Sequence, residues 1–378
     1  MKILHLIYSE QVAGAEKYLL NLLPGLQTEG IDCDLICVSP AKHKYKFIAL
    51  CDELNKKGVK TTLMTGGKFN FLSVAKRVSE YLKKNNINYL HTHLFKSDLL
   101  AVMLKKIFNK KIFLISTKHG YQEKYLSDYA VKKKKISYNT YYFISKYLAH
   151  HINEHVTISK AMSDLYFDLK IIPRRMKYIY HGINVAVPFS TGHREEFRIA
   201  RPQLVIAGRV EEIKGHKYLF DAMPAIIDKF PDVKLLVIGN GTQKEFLLSK
   251  TASLGIEKNI SFLGFLENPY PYIAHSDIIV LPSLFEPFGL VYIEAFALKT
   301  PVIAFDVPAS NEIIRDDETG LLVPLANSEI LAEKIIYLLQ NPEERNRLAE
   351  KGYAAYTGYY NTNRMVKDTA DWYRSIIS

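Results

Sequence analysis

Short apolar runs alternate with longer amphipathic stretches from the first residue of the chain onward. The runs from Lys2 to Tyr8, Cys33 to Val38 and Tyr89 to His93 have the length of strands, and the stretches between them have the length and period of helices. Strands that alternate with helices form parallel sheets, because a parallel pair of strands needs a crossover connection, usually a helix. The pattern therefore predicts an α/β fold, with further strands from Ile112 to Thr117 and from His155 to Ile158.

The alternation is interrupted from Gly182 to Pro202, where Gly, Pro and charged residues follow one another without a period, as in a linker. After it, apolar runs resume near Leu204, Lys234, Ile260, Asp277 and Thr300. Two similar α/β units joined by one linker leave a cleft between them, and parallel sheets bind ligands at the carboxyl ends of their strands. We expect two Rossmann-like domains, residues 1–185 and 200–361, that face each other across a cleft.

The net charge of +11 is concentrated in the first half of the chain. Residues 1–190 carry 30 Lys and Arg against 14 Asp and Glu, a charge of +16, whereas residues 191–378 carry 20 against 25, a charge of −5. The basic clusters Lys105–Lys111 and Lys132–Lys135 stand beside aromatic residues, which suits an anionic membrane surface. A solvated helix face with tyrosines on the core is the alternative. Nucleic acid is not an expected partner, because no known binding module accompanies the charge.

Cysteine usage and hydropathy indicate a cytoplasmic protein. Cys33, Cys37 and Cys51 lack the paired spacing of a zinc site, so we expect reduced, partly buried thiols. The triplet Asp32-Cys33-Asp34 has the form of a metal-binding DxD, but it opens a strand with alternating faces, which argues against that role. The first apolar run is too short for a signal peptide, and no window reaches the ~20 apolar residues that span a bilayer.

The segment Leu281–Phe305 is the most informative for function and reads as strand, loop, helix and strand. Glu286 lies in the loop. The first turn of the helix is expected to contain Phe288, Gly289 and Leu290. Unpaired backbone amides and the helix dipole make such a turn an anion site, and Gly289 lets a phosphate approach the backbone closely.

Glu294 lies further along the same helix, between the apolar stretches VYI and AFAL. A solvated glutamate is the ordinary interpretation, and these neighbours argue against it. A carboxylate at this place can accept two hydrogen bonds from a ribose diol. Glu286 would then lie near a sugar.

Two cations follow the first strand of the second half, in the sequence VIAGRVEEIKG. Arg209 comes just after the strand, and Lys214 comes immediately before Gly215. A guanidinium binds phosphate oxygens bidentately, and an ammonium neutralises the charge of a leaving diphosphate, so neither a metal nor another cofactor is expected. Surface charges in a loop are the alternative.

In combination, these motifs resemble the retaining nucleotide-sugar glycosyltransferases of family 4, which have the GT-B fold. The resemblance covers nearly the whole chain and rests on GAE at Gly14–Glu16, GRVEEIKG at Gly208–Gly215, VIGNG at Val237–Gly241 and EPFGLVYIE at Glu286–Glu294. It implies that Arg209 and Lys214 bind the diphosphate, that the backbone of residues 288–290 binds phosphate, and that Glu294 binds the ribose. It also implies that Glu286 binds the hydroxyls of the donor sugar.

The resemblance assigns residues of the first half as well. Gly14 is expected where a donor phosphate approaches the backbone, although the usual Gly-Gly pair of the family reads Ala13-Gly14 here. His119 matches the histidine at the cleft of the family, where it can hydrogen-bond the donor sugar or orient the reacting hydroxyl. His91 and His93 match a further family pattern, and strand alternation points both to one face, as groups of the core or of an acceptor pocket.

The resemblance implies a retaining hexosyltransferase that uses a nucleotide-diphosphate sugar, with UDP as the first expectation, and a glycan or lipid-linked acceptor in cell-surface polysaccharide synthesis. The first domain would bind the acceptor, the second the donor, and a C-terminal helix at about 362–378 would pack back onto the first domain. A peripheral position on the inner face of the cell membrane fits the basic first half. Two alternatives are a nucleotide-sugar epimerase of the same architecture, which needs no acceptor pocket, and a non-catalytic glycan-binding protein, which needs no diphosphate ligands.

Overall fold

The computed structural model describes residues 1–10, 14–67, 70–121, 139–172, 176–185 and 197–377. These residues form two compact units. The first is made of the described residues within 1–121, 137–184 and 361–378, and the second of those within 185–360. The basic cluster Lys132–Lys135 lies outside the described residues.

The first unit is built on a parallel sheet with the strand order β3-β2-β1-β4-β5-β6-β7. Its strands are β1 Lys2–Tyr8, β2 Asp32–Pro40, β3 Lys60–Gly66, β4 Tyr89–His93, β5 Phe113–Lys118, β6 Glu154–Thr157 and β7 Lys177–Tyr178. β1 lies between β2 and β4, and its residues from Ile3 to Tyr8 are all buried. Such a continuous apolar run is typical of a parallel strand that is covered by helices on both faces.

The helices of the first unit include one from the far end of the chain. They are α1 Gly14–Thr28, α2 Ile48–Lys56, α3 Phe71–Lys84, α4 Phe95–Ile107, α5 Thr140–Ala149, α6 Lys160–Asp168 and α14 Thr362–Ile377. α14 packs against α1 and contributes Met365, Trp372 and Tyr373 to the same core as β1. The last helix of the chain therefore completes the first unit.

The second unit has a parallel sheet with the strand order β10-β9-β8-β11-β12-β13. Its strands are β8 Gln203–Ala207, β9 Lys234–Ile238, β10 Ile260–Gly264, β11 Ile278–Leu281, β12 Val302–Phe305 and β13 Leu321–Val323. Its helices are α7 His216–Lys229, α8 Lys244–Leu254, α9 Tyr270–Ala274, α10 Leu290–Ala297, α11 Ser310–Ile313, α12 Ser328–Gln340 and α13 Pro342–Tyr359. The predicted α/β architecture with two Rossmann-like units is confirmed.

None of the described helices combines the length and the apolar character that crossing a bilayer requires. Cys33, Cys37 and Cys51 are free thiols and all three are buried.

Candidate functional site

Three loops leave the carboxyl-terminal edge of the second sheet side by side. They follow β9, β8 and β11, which are neighbours in the sheet. The strand order reverses at β8, because the chain continues from β8 to β9 on one side and reaches β11 on the other. Open parallel sheets bind ligands where the order reverses, at the carboxyl ends of the strands. The loops after β8 and β11 are therefore the expected place for a site in this unit.

The loops after β8 and β11 touch each other. The first loop closes with a short 3-10 turn, Glu212–Lys214, and continues into Gly215, whose φ is +67°. A Cβ atom at Gly215 would lie 1.8 Å from the carbonyl oxygen of Pro282 in the other loop. Glycine is needed here both for the left-handed backbone and for the close approach. This contact brings Lys214 next to the loop that carries Glu286.

Lys214 and Glu286 form an ion pair at the junction of the two loops. Nζ of Lys214 donates a hydrogen bond to Oε1 of Glu286. Oγ of Ser283 donates to the same oxygen over 2.9 Å. The Glu286 residue is only 8% exposed, so a cation and a hydroxyl compensate the cost of holding its charge away from water. Two residues that the sequence assigned to the diphosphate and to the sugar thus belong to one hydrogen-bonded group.

The helix after this loop, α10, starts later than the sequence predicted. Gly289 precedes it with a φ of +88°, which lies outside the right-handed helical region. The first helical residue is therefore Leu290, and the expectation that Phe288 and Gly289 also lie in the first turn is wrong. Phe288 is a buried side chain of the preceding loop. The first amides of α10, those of Leu290 and Val291, have no partner within the helix, whereas the amide of Tyr292 already donates to the carbonyl of Gly289 over 3.0 Å.

A single pocket of the second unit collects several of these groups. Its lining includes Lys214, His216, Ser283, Glu286, Gly289 and Tyr292. Five of these six carry an ionisable or hydroxyl side chain, and they lie in the two contacting loops or in the first turns of the helices that follow them. Such a convergence of polar groups at the end of a parallel sheet is the usual form of a binding site for a polar ligand.

His216 and Tyr292 also line the pocket, although the sequence motifs did not indicate them. Both ring nitrogens of His216 and the hydroxyl oxygen of Tyr292 are buried, and among the described residues none has a hydrogen-bond partner. Burial and the neighbouring Lys214 lower the pKa of His216 to about 4. Burial, with a contribution from Glu286, raises the pKa of Tyr292. Near neutral pH the pocket therefore holds a neutral imidazole and a protonated phenol. In the sequence, His216 could have been recognised as a candidate from its position directly after Gly215.

Arg209 and Glu294 lie outside the set of residues that lines this pocket. Arg209 follows β8, and its side chain is exposed. Glu294 lies on α10 and accepts a hydrogen bond of 3.3 Å from the hydroxyl of Tyr270. Burial and the charge of Glu294 raise the pKa of Tyr270, so this hydroxyl stays protonated as a donor. The expected contacts of Arg209 with the diphosphate and of Glu294 with the ribose stay predictions.

Gly14 and His119 belong to the first unit. Gly14 is the first residue of α1 and is exposed at its amino-terminal end. Ala13, the other residue of the expected turn, lies outside the described residues. His119 comes directly after β5, at the carboxyl-terminal edge of the first sheet.

A cluster of histidines surrounds His119 in the first unit. The register of β1 and β4 pairs His5 with His91, and the rings of His91 and His93 stack with their centroids 4.6 Å apart. Nδ1 of His93 lies 3.0 Å from Nε2 of His119, and Nε2 of His93 lies 3.0 Å from Nδ1 of His5. Burial lowers the pKa of His5 and of His119 to about 3 and those of His91 and His93 well below the usual value. All four imidazoles are therefore neutral near pH 7.

His5, His91 and His93 are the group of described residues with the spacing of a metal site, because one ligand atom of each lies within 4.8 Å of the others. Their ring nitrogens are already engaged within the protein. His91 is hydrogen-bonded through Nδ1 to the hydroxyl of Tyr373 at 2.5 Å and through Nε2 to Oγ1 of Thr117 at 2.7 Å. A metal ion would have to break these bonds.

The two carboxylates of the Asp32-Cys33-Asp34 triplet in β2 form ion pairs and a hydrogen bond within the protein. Asp32 and Asp34 both form ion pairs with Lys2, at 3.0 and 3.1 Å. Asp34 also accepts a hydrogen bond of 2.8 Å from the hydroxyl of Tyr81. These contacts give the two carboxylates a structural role at the start of the strand.

Two family models match the chain, one in each half. Residues 12–187 match the model described as "Glycosyltransferase Family 4". Residues 192–355 match the model described as "Glycosyl transferases group 1". Together the two matches cover most of the chain.

Curated relatives are glycosyltransferases. The chain is 32% identical over 188 residues to a phosphatidyl-myo-inositol mannosyltransferase of Mycobacterium leprae. The aligned stretch covers 48% of this chain and 49% of that protein. It is 23% identical over 312 residues to an N-acetyl-alpha-D-glucosaminyl L-malate synthase of Bacillus anthracis, covering 81% of this chain and 79% of that protein. For several relatives, the mannosyltransferase among them, the chain spans about half of their length, 46 to 59%.

A solved structure shares the fold over the full length. The HepE protein of Anabaena, crystallised in complex with UDP and glucose, superimposes with a TM-score of 0.80 over 99% of this chain and 100% of that chain, at 19% sequence identity. This similarity shows that the fold is of the GT-B type.

Proposed function

Because the chain belongs to the family-4 glycosyltransferases, we propose that it transfers a hexosyl unit from a nucleotide-diphosphate sugar to a hydroxyl of a glycan or a lipid-linked acceptor. The observation that carries the proposal is the Lys214–Glu286 pair in the pocket at the strand ends of the second unit. UDP is the proposed nucleotide, and cell-surface polysaccharide synthesis is the proposed setting, since relatives act in lipopolysaccharide and O-antigen synthesis.

The charges of the pocket suit a diphosphate leaving group. When the anomeric C–O bond breaks, its electron pair leaves with the diphosphate, so the catalyst must stabilise new negative charge. Lys214 supplies a cation, and the first turn of α10 supplies unpaired amides beside Gly289. We assign Arg209 to the same diphosphate, Gly14 to its approach from the first unit, and the backbone at Phe288, Gly289 and Leu290 to its phosphate oxygens.

The carboxylates of the loop and of α10 suit the neutral parts of the donor. Glu286 would accept hydrogen bonds from the donor sugar hydroxyls once the ligand competes for Lys214, and Glu294 would accept them from the ribose. We propose retention of the anomeric configuration: the acceptor oxygen attacks on the face that the diphosphate leaves, and its proton passes to the departing phosphate oxygen. His119 would hydrogen-bond the donor sugar or orient the reacting hydroxyl.

We further propose that the transfer needs neither a metal ion nor another cofactor. Protein cations can neutralise the leaving diphosphate themselves, as Lys214 and Arg209 would do here. The test is a transfer assay with UDP-sugars in the presence of excess EDTA, with the product configuration read from the anomeric proton coupling. Undiminished turnover with retained configuration supports the proposal. Turnover that EDTA abolishes and Mg²⁺ restores contradicts the metal-independent version.

An aromatic and basic surface on the first unit supports a second element of the proposal, binding to an anionic membrane. We call it the α4–α5 patch; its members are Lys106, Ile107, Lys110, Lys111, Phe143 and Tyr147. Ile107, Phe143 and Tyr147 are 57%, 61% and 50% exposed. Nζ of Lys106 donates a hydrogen bond to the hydroxyl of Tyr147 and lies 4.6 Å from the centroid of its ring. Exposed aromatic and aliphatic groups beside lysines fit the interface of an anionic bilayer.

Vesicle sedimentation tests this element without reference to activity. We expect binding to vesicles that contain phosphatidylglycerol and little binding to pure phosphatidylcholine, with a strong decrease at high salt. A variant with Phe143→Ser and Lys106→Ser should lose the binding, whereas the matched changes Phe246→Ser and Lys244→Ser, on the second unit, should keep it. Equal binding to both vesicle types would contradict the membrane proposal. If the protein binds anionic vesicles as proposed, we expect it to lie at the inner face of the cell membrane.

The relatives favour transfer over the two alternatives. The curated relatives named above are glycosyltransferases or a sugar-transferring synthase, and neither family model describes an epimerase or a glycan-binding protein. The acidic and basic pair in the pocket also provides diphosphate chemistry that a glycan-binding protein would not need.

A further inference from the structure

The hydrogen bonds of His93 couple the protonation states of its two neighbours. A neutral imidazole has one N–H donor and one nitrogen lone pair. His93 uses Nε2 towards Nδ1 of His5 and Nδ1 towards Nε2 of His119, each at 3.0 Å. It must therefore donate to one of these histidines and accept from the other. The tautomer of His119 is consequently tied to that of His5, two strands away in the sheet.

From His5 the chain of bonds continues through a tyrosine hydroxyl to a second pair of side chains. Nε2 of His5 lies 3.5 Å from the hydroxyl of Tyr373, and this hydroxyl lies 2.5 Å from Nδ1 of His91. Nε2 of His91 continues to Oγ1 of Thr117 at 2.7 Å. Tyr373 comes from α14, at the other end of the sequence. The connected groups are Thr117, His91, Tyr373, His5, His93 and His119.

Acidity sets the direction of these bonds. A phenol is a stronger acid than the N–H group of a neutral imidazole, so in the short Tyr373–His91 pair the hydroxyl is the donor. The Tyr373 oxygen then accepts from Nε2–H of His5. His5 in turn accepts at Nδ1 from Nε2–H of His93, and His93 accepts at Nδ1 from Nε2–H of His119. This order leaves Nδ1 of His119 as a lone pair.

We propose that His93, His5 and Tyr373 are positioning residues that act through His119, and that they hold it as the Nε2–H tautomer with Nδ1 as a hydrogen-bond acceptor. In this form His119 accepts a hydrogen bond from a hydroxyl group. For the enzyme this deepens the proposed function, on which the role of the hydroxyl rests: the partner would be a hydroxyl of the donor sugar or of the acceptor. The tautomer itself does not depend on that function.

Two competing descriptions make different predictions. The Cys33 thiol lies 3.8 Å from Nε2 of His5 and could donate to it, which would reverse the His5–His93 and His93–His119 bonds and place the proton of His119 on Nδ1. Alternatively, a divalent metal ion could occupy His5, His91 and His93, whose ligand atoms lie within 4.8 Å. If the hydroxyl of Tyr373 sets the direction of the bonds, the proton of His119 lies on Nε2 and the three histidines bind no metal ion.

The test is a two-bond ¹H–¹⁵N correlation spectrum of the full chain labelled at histidine, with the His119 signals assigned by their loss in His119→Gln. We expect the Nε2–H pattern for His119 in the wild type. Tyr373→Phe should shift it towards the Nδ1–H form or towards a mixture, because the acceptor of the His5 proton is gone. Cys33→Ala should leave the pattern unchanged, and so should Tyr142→Phe, a buried tyrosine whose hydroxyl donates to the carbonyl of Leu169 instead.

Three results would overturn the proposal. They are a proton on Nδ1 of His119 in the wild type, a Tyr373→Phe spectrum identical to that of the wild type, and stoichiometric Zn²⁺ binding that shifts the signals of His5, His91 and His93. These outcomes concern the histidines alone, so they are distinct from a failure to transfer sugar. If the tautomer is as proposed and UDP does not bind, the positioning stands and the transferase assignment fails.

Discussion

The ammonium group of Lys214 and the carboxylate of Glu286 are hydrogen-bonded to each other across 72 positions of the sequence. The pair links the loop after β8 to the loop after β11, at the point where the strand order of the second sheet reverses. A ligand diphosphate would compete with Glu286 for the same ammonium. Glu286 therefore holds Lys214 in place before the ligand binds, and the two residues should differ in what their loss does.

Substitution of Lys214 and Glu286 should separate binding from turnover. Lys214→Met should weaken UDP binding and lower kcat/KM by a factor on the order of 10² to 10³, the usual loss for one preorganised electrostatic group. Glu286→Gln should lower kcat, because it weakens the contact with the donor sugar. UDP should still bind to this variant, because Lys214 remains available to the diphosphate. Steady-state kinetics and calorimetry measure both effects. Lys217→Met and Glu267→Gln are the controls; an unchanged kcat/KM in Lys214→Met would contradict the assignment.

Gly215 should tolerate no side chain. Gly215→Ala forces a left-handed alanine, at about 1–2 kcal/mol, and places Cβ 1.8 Å from the oxygen of Pro282. Gly255→Ala is a matched control, because its φ of +65° is nearly the same and no atom lies within 4 Å of the added Cβ. We expect the free energy of unfolding, measured in urea, to fall further for Gly215→Ala than for Gly255→Ala. Equal losses would mean that the contact between the loops is absent.

Tyr292→Phe should separate stability from ligand binding. The buried hydroxyl of Tyr292 has no hydrogen-bond partner among the described residues, so its removal should leave the free energy of unfolding unchanged or raise it by up to about 1 kcal/mol. Affinity for the nucleotide sugar should fall, because the hydroxyl lines the pocket. Tyr142→Phe, which loses a hydrogen bond to the carbonyl of Leu169, should destabilise by about 1 kcal/mol. Destabilisation of the same size in Tyr292→Phe would show that its hydroxyl already has a partner.

The histidine cluster should make the first unit sensitive to acid. The unfolded chain binds a proton at each histidine near pH 6.5, whereas burial lowers the pKa of His5 and His119 to about 3 in the folded protein. The unfolded state therefore binds more protons below pH 6.5. Stability is full above that pH and is lost as the pH falls towards 3, by up to about 1.4 kcal/mol per pH unit for each histidine.

Tryptophan fluorescence can follow this loss, because the single tryptophan of the chain, Trp372, lies in the core of the first unit. Urea midpoints at pH 7, 6 and 5 should decrease in that order. His5→Phe, which removes one of these buried imidazoles, should reduce the slope of the free energy of unfolding against pH. A midpoint that is constant from pH 7 to pH 5 would show that the histidines are already protonated or accessible in the folded state.

Strands with uninterrupted apolar runs could be predicted from the sequence, and weakly apolar ones could not. β1 and β4 have the predicted bounds, Lys2–Tyr8 and Tyr89–His93, because after its first residue each is a buried run that only His or His and Thr interrupt. β3, with the sequence KTTLMTG, is largely half-exposed, and β13 has three residues. Neither leaves a periodic signal of sufficient length.

For the site, residues in known motifs could be found, and residues that depend on register could not. Lys214 and Glu286 lie in motifs, but their bond depends on the contact of Gly215 with Pro282, which only the folded chain brings about. His5 is an isolated polar residue in an apolar run, and its partner His91 is set by the pairing of β1 with β4. The start of α10 could not be predicted, because the sequence does not distinguish a left-handed Gly289 before the helix from a close-approach glycine inside its first turn.

The central claim is that the pocket around Lys214 binds the diphosphate of a nucleotide. Its most direct test is isothermal titration calorimetry of the wild-type chain with UDP and with uridine in the presence of EDTA, repeated for Lys214→Met. We predict that UDP binds, that uridine binds far more weakly, and that Lys214→Met removes most of the difference. Equal affinities for UDP in the wild type and in Lys214→Met, or no binding of UDP, GDP or ADP, would contradict the account.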